Sequence, residues 1–117
     1  MKSVVFEEFG SPRKVLRVID VPVPQPGPGQ ARIRLVLSPI HNHDLMIITG
    51  HYGIKPSLPH HPGTEGLGIV DAVGEGATNV KPGDRVTGGA AAAWSEFYLT
   101  QAAGLVVVPE TVDDATA

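Results

Sequence analysis

Prolines and glycines set the first limit on this chain. There are 11 Pro and 14 Gly in 117 residues, about a fifth of the sequence, and they fall between short apolar runs without forming a repeat. Spacing of that kind interrupts any long helix and suits a turn-rich β domain. The length predicts one domain with a single core. A net charge of -3, with no window of clustered Lys and Arg, argues against a nucleic-acid or membrane partner. The absence of cysteine excludes disulfides and thiolate metal sites. Neither a signal-peptide pattern nor a run of membrane-spanning length is present, so the cytoplasm is the expected compartment.

The β pattern can be followed along the chain. Lys2 to Phe6 reads as a first strand, and Lys14 to Ile19 as its partner across a turn at Gly10-Ser11-Pro12. In Val21 to Gly29 four prolines lack an amide donor, which predicts an extended edge segment ending in a tight turn. Ala31 to Leu37 alternates, with Ala31, Ile33, Leu35 and Leu37 toward the core and Arg32 and Arg34 toward water. A short helix follows, with Asn42 as N-cap, Asp44 in the first turn and Gly50 as its stop. Gly66 to Val73, Arg85 to Thr87, Trp94 to Thr100 and Leu105 to Val108 complete the strands. Lys81-Pro82-Gly83-Asp84 is spaced as a type II turn. Thr111 with Asp113 and Asp114 carries a helix-start signal, so the chain reads as a piece of something longer.

Three stretches in order carry a family resemblance: Gly63-Thr64-Glu65-Gly66-Leu67-Gly68-Ile69-Val70, then Val73-Gly74, then Val80-Lys81-Pro82-Gly83-Asp84-Arg85-Val86. Together they resemble the GroES-like catalytic domain of medium-chain dehydrogenase/reductases, over nearly the whole chain. The resemblance implies a mainly β fold, a partly open β-barrel with a few short helices. It assigns 1–109 to that domain and 110–117 to the start of a connection to a Rossmann domain. NADPH or NADH would be bound mostly by that missing domain, through a Gly-rich phosphate turn. Gly74-Glu75-Gly76-Ala77-Thr78-Asn79 lacks the third glycine of such a turn and reads as a link between strands.

The resemblance also directs attention to particular residues. Zinc-dependent relatives use a Cys after the alternating strand and a His in a Gly-His-Glu step, where this chain has His41 and Thr64, so no zinc is expected. His41-x-His43, His51 and His60-His61 offer a nitrogen set. The helix expected from Asn42 would point the first two apart, which favours polar cleft or surface histidines over metal ligands. Thr49-Gly50-His51-Tyr52-Gly53 with Lys55-Pro56 and Leu58-Pro59 looks like the segment of enoyl-thioester reductases whose tyrosine donates a proton or orients substrate. Tyr52 is thus the catalytic candidate, against a tyrosine that merely packs the loop edge. His41, Asn42 and His43 stand where quinone oxidoreductases and enoyl reductases line the cofactor cleft with an Asn-Pro-x-Asp step; of that step only Asp44 matches. Asp44, Glu65 and Trp94 are the substrate-cleft candidates. Helix charge, local hydrogen bonding and core packing are the respective structural alternatives.

The expected function is hydride transfer from NAD(P)H to a quinone or the C=C bond of an enoyl thioester, by an enzyme of which this domain alone is inactive. The partners are then a small-molecule substrate, the missing Rossmann domain and, if apolar surface is bared, a second copy in a homodimer. The alternatives are an alcohol dehydrogenase relative with a degenerate metal site and a stand-alone GroES-like binding or assembly module.

Overall fold

The computed structural model describes residues 1–53 and 55–116. Strand β1 (Lys2–Val5) pairs antiparallel with β2 (Arg17–Asp20) in a small two-stranded sheet. The main sheet is antiparallel throughout, in the order β6-β3-β4-β5-β7. It is formed by β3 (Gln30–Leu37), β4 (Glu65–Val73), β5 (Arg85–Gly89), β6 (Phe97–Gln101) and β7 (Val106–Val107). Two short helices, α1 (Pro12–Val15) and α2 (Asn42–Thr49), flank it. The architecture is mainly β and partly open, as expected.

The sheet curls because β3 and β4 are out of step twice, between Arg32 and Ile33 and again between Leu35 and Leu37. Each irregularity bends the ladder and deepens its twist. The curl brings β6 near β5 without pairing them: the Thr100 hydroxyl donates to the Gly89 carbonyl at 2.9 Å. Inside the curl Ala31, Ile33, Val70, Val80, Val86 and Tyr98 form the main core. A second cluster of Phe6, Val15 and Ile48 joins β1, α1 and α2. Gly74 shows how tightly the chain is wound, since a Cβ there would stand 1.9 Å from the Gly27 carbonyl oxygen. At Lys81-Pro82-Gly83-Asp84 the Asp84 amide donates to the Lys81 carbonyl and Gly83 has φ +96°, as a type II turn requires.

Four local expectations are corrected. Residues 12–15 are a one-turn helix started by Pro12, because the Ser11 carbonyl accepts the amides of Lys14 and Val15; the strand begins only at Arg17. His41, not Asn42, is the N-cap of α2, because the Asp44 carboxylate reaches back to accept the His41 amide at 2.9 Å. Leu37 is exposed, since β3 outruns β6 there and the slip at Val36 turns the alternation. Residues 110–116 form successive turns, not a helix, with Arg85 bonded to Asp114 and to the Pro109 carbonyl. At the other end of β6, residues 94–96 bond to β1: the Val4 amide donates to the Trp94 carbonyl, and the Glu96 amide to that of Lys2.

Candidate functional site

Gly63 decides where the site residues stand. Its φ is +105°, and a Cβ would lie 2.7 Å from the Trp94 amide and 2.9 Å from that of Ala93, so only glycine lets the chain turn there into β4. Thr64 and Glu65 are thereby set at the mouth of β4, facing the first turn of α2.

The two groups meet through a chain of hydrogen bonds. Thr64 donates its hydroxyl to Asp44 Oδ1 at 3.2 Å, and its oxygen lies 2.8 Å from His43 Nε2. With the Thr64 proton committed to the carboxylate, the bond to His43 requires the Nε2–H tautomer. His43 Nε2 also stands 3.7 Å from Asp44 Oδ1. His41 Nε2 donates to Glu65 Oε2 at 3.0 Å. The rings of His41 and His43 stack, with centroids 4.9 Å apart and planes 18° from parallel. The sequence reading pointed them apart. They meet because His41 sits outside the helix in extended backbone while His43 is within it. Tyr52 completes the group, its ring centroid 6.2 Å from that of His43.

Beside this group is an apolar cavity of about 320 Å³ whose lining includes Ile47, Tyr52, His60, His61, Thr64 and Ala90 to Ala92. His60 lies edge-on against Phe6, centroids 5.6 Å apart. Burial of its ring, and to a lesser degree the neighbouring charge of His61, holds His60 below the usual histidine value. Among the described residues no group of three or more His, Asp and Glu side chains converges as a metal would need.

The other candidates divide. Tyr52 is exposed and lines the cavity. Glu65 is exposed beside His41, and Asn42 is exposed at the start of α2. Asp44, expected in the substrate cleft, is 1% exposed, so it acts through Thr64, His43 and the His41 amide and does not line the cleft. Trp94 packs on the Phe6, Val15 and Ile48 cluster and faces a different cavity with Lys2, Ile40 and Glu96; its indole nitrogen is buried without a partner among the described residues. The sequence reading passed over Thr64 as a poor zinc ligand, yet it is the hub of the network. His61 was weighed as a metal ligand and read, with the other histidines, as a polar cleft or surface residue.

Residues 27–110 match the family described as the alcohol dehydrogenase GroES-like domain. The chain is 36% identical to the mitochondrial enoyl-[acyl-carrier-protein] reductase of Bos taurus over 74% of its length, covering 23% of that protein. It is 43% identical to an alcohol dehydrogenase of a Moraxella species, again over 74% of its length and 25% of that protein. The structure of an Escherichia coli quinone oxidoreductase complexed with NADPH superposes with a TM-score of 0.90 at 30% identity, over 97% of this chain and 35% of that one. The chain therefore spans about a quarter of the length of these curated relatives.

Proposed function

This chain belongs to the alcohol dehydrogenase GroES-like domain family of the medium-chain dehydrogenase/reductases, and from that premise we propose that it is the substrate-binding half of an NAD(P)H-dependent reductase of conjugated C=C bonds or quinones. On this reading 1–109 is the catalytic domain, and 110–117 leads to a nucleotide-binding domain outside this chain. The observation that carries the proposal is one juxtaposition. Tyr52 and Thr64 line an apolar cavity, and Thr64 ties that wall to His43 and the buried Asp44 of α2.

The donor chemistry at that face suits the nicotinamide end of the cofactor. His41, Asn42 and His43 offer two imidazoles and a carboxamide at the exposed start of α2. The bound cofactor would supply hydride. The chain's own residues would do the rest. The apolar wall excludes water from the substrate body. Tyr52 donates a hydrogen bond to the carbonyl oxygen that becomes an enolate, then a proton to the α-carbon, a general-acid role worth about 10²- to 10⁴-fold. Asp44, buried and bonded to the His41 amide and Thr64, fixes the His43 ring that Tyr52 faces.

The test is an acceptor panel on the natural protein. NADPH oxidation with a trans-2-enoyl thioester or a quinone is expected. Oxidation of a primary alcohol with NADP⁺, and none with the other acceptors, would replace this reading with the alcohol dehydrogenase alternative. The likeness to the Moraxella protein gives that alternative its weight.

A further inference from the structure

Behind the cavity wall lies a polar chain that the proposed chemistry leaves unused. Ser3 Oγ lies 2.7 Å from His61 Nδ1 and 2.6 Å from Ser95 Oγ. Ser3 is 2% exposed and Ser95 5%, so the hydroxyl protons of both need acceptors inside the protein. Among the hydrogen bonds of the described residues one arrangement provides them: Ser95 donates to Ser3, and Ser3 donates to His61 Nδ1. The reverse direction would leave the Ser95 proton without an acceptor among the hydrogen bonds of the described residues. With Nδ1 accepting, His61 carries its proton on Nε2.

The His61 ring stands between two cavities. Ser3 and Ser95 line a cavity of about 350 Å³ with Met1, Val21 and Tyr98, while Tyr52 and Thr64 line the candidate site; His61 lines both. Its Nδ1 edge is turned to Ser3. Among the described residues the Nε2–H edge has no hydrogen-bond acceptor, which leaves it free for a ligand in the cavity that His61 lines together with Tyr52. The backbone keeps it there, because Phe6, just after β1, exchanges both amide–carbonyl bonds with His60 at 3.0 Å, and Ser3 of β1 bridges to Ser95.

We propose that His61 is a substrate-contacting residue, an N–H donor for the carbonyl oxygen of an acyl thioester or enone, with Ser3 and Ser95 as positioning residues that fix its tautomer. This rests on the reading of the cavity as a substrate site. It makes the site selective for an apolar ligand bearing a hydrogen-bond acceptor, since a donor with no acceptor in an apolar wall penalises ligands that lack one.

Two probes separate this proposal from the reading beneath it: S-hexanoyl-N-acetylcysteamine, and the S-hexyl thioether of the same thiol, which lacks the thioester carbonyl. Binding to the natural protein is followed by NMR, with ¹⁵N-labelled histidine. We expect the thioester to bind more tightly than the thioether. His61→Phe should weaken thioester binding about tenfold, the worth of one hydrogen bond, and leave thioether binding unchanged. His61→Gln, which keeps a donor at similar reach, should recover most of the loss. Ser3→Ala should mix the His61 tautomers and lower thioester affinity alone. A wild-type His61 protonated on Nδ1, or a His61→Phe variant that keeps the preference, would overturn the proposal while the site reading stands. Failure of both probes to bind the wild type would remove the site reading and this proposal together.

Discussion

The main sheet and the cleft wall are held together in opposite ways. In the sheet, long antiparallel ladders surround an apolar core in which Ala31, Ile33, Val70 and Val86 are at most 1% exposed. Backbone ladders and hydrocarbon packing hold that core. Among the described residues of α2 and 51–64 the one fully buried aliphatic anchor is Ile48, and this wall takes its shape from side-chain hydrogen bonds and from the backbone bonds of His60 to Phe6. Such a wall adapts its chemistry through a few polar side chains without disturbing the core.

If that division holds, substitutions should separate stability from function. The largest effect is expected in the sheet. Ile33→Ala removes a fully buried side chain and should cost about 2–5 kcal/mol in chemical denaturation, with ligand binding unchanged in the fraction that folds. A small loss would mean that the sheet can collapse around the gap. Thr64→Val keeps the shape but strips Asp44 of a donor and His43 of an acceptor. It should cost about 1–3 kcal/mol and, unlike Ile33→Ala, should change the His43 tautomer seen by ¹⁵N NMR. An unmoved tautomer would break the proposed hub.

The pH dependence of stability sharpens the comparison further. His60 has its folded value held below the ordinary 6.5. Between those two values the unfolded chain binds the extra proton, so stability should fall as pH drops from about 6.5 and level off below the folded value. His60→Gln should flatten that part of the denaturation profile; an unchanged slope would put the proton elsewhere. The smallest effect is expected at the pair of Arg17 and Glu7, both more than half exposed. Arg17→Ala should lie within about 0.5 kcal/mol of wild type.

How far the sequence foretold each region follows from the same difference. The alternation of residues 31–37, the Lys81 to Asp84 turn and the glycines of β4 are local patterns, and the strands they imply are present. The slip at Val36 was hidden because it depends on where β4 and β6 end, so Leu37 was misassigned to the core. In the cleft, His41, His43, Asp44, Tyr52 and Glu65 were all picked out, but not their arrangement. His41 and His43 stack because the helix begins one residue earlier than a cap at Asn42 would place it, leaving His41 in extended backbone at the cap. Ser3, His61 and Ser95 lie 58 and 92 residues apart in their bonded pairs, and no motif joins them. Trp94 was left between cleft and core, and it packs on the Phe6 cluster.

The central claim is that Tyr52 does chemistry on the wall of this cavity. It is tested most directly by the rate of NADPH oxidation with a trans-2-enoyl thioester in the natural protein, wild type against Tyr52→Phe. We expect kcat to fall by about 10²-fold or more with thermal stability unchanged, because the exposed hydroxyl has no protein partner among the hydrogen bonds of the described residues. A Tyr52→Phe protein that turns over at the wild-type rate would contradict the account and leave Tyr52 as packing at the loop edge.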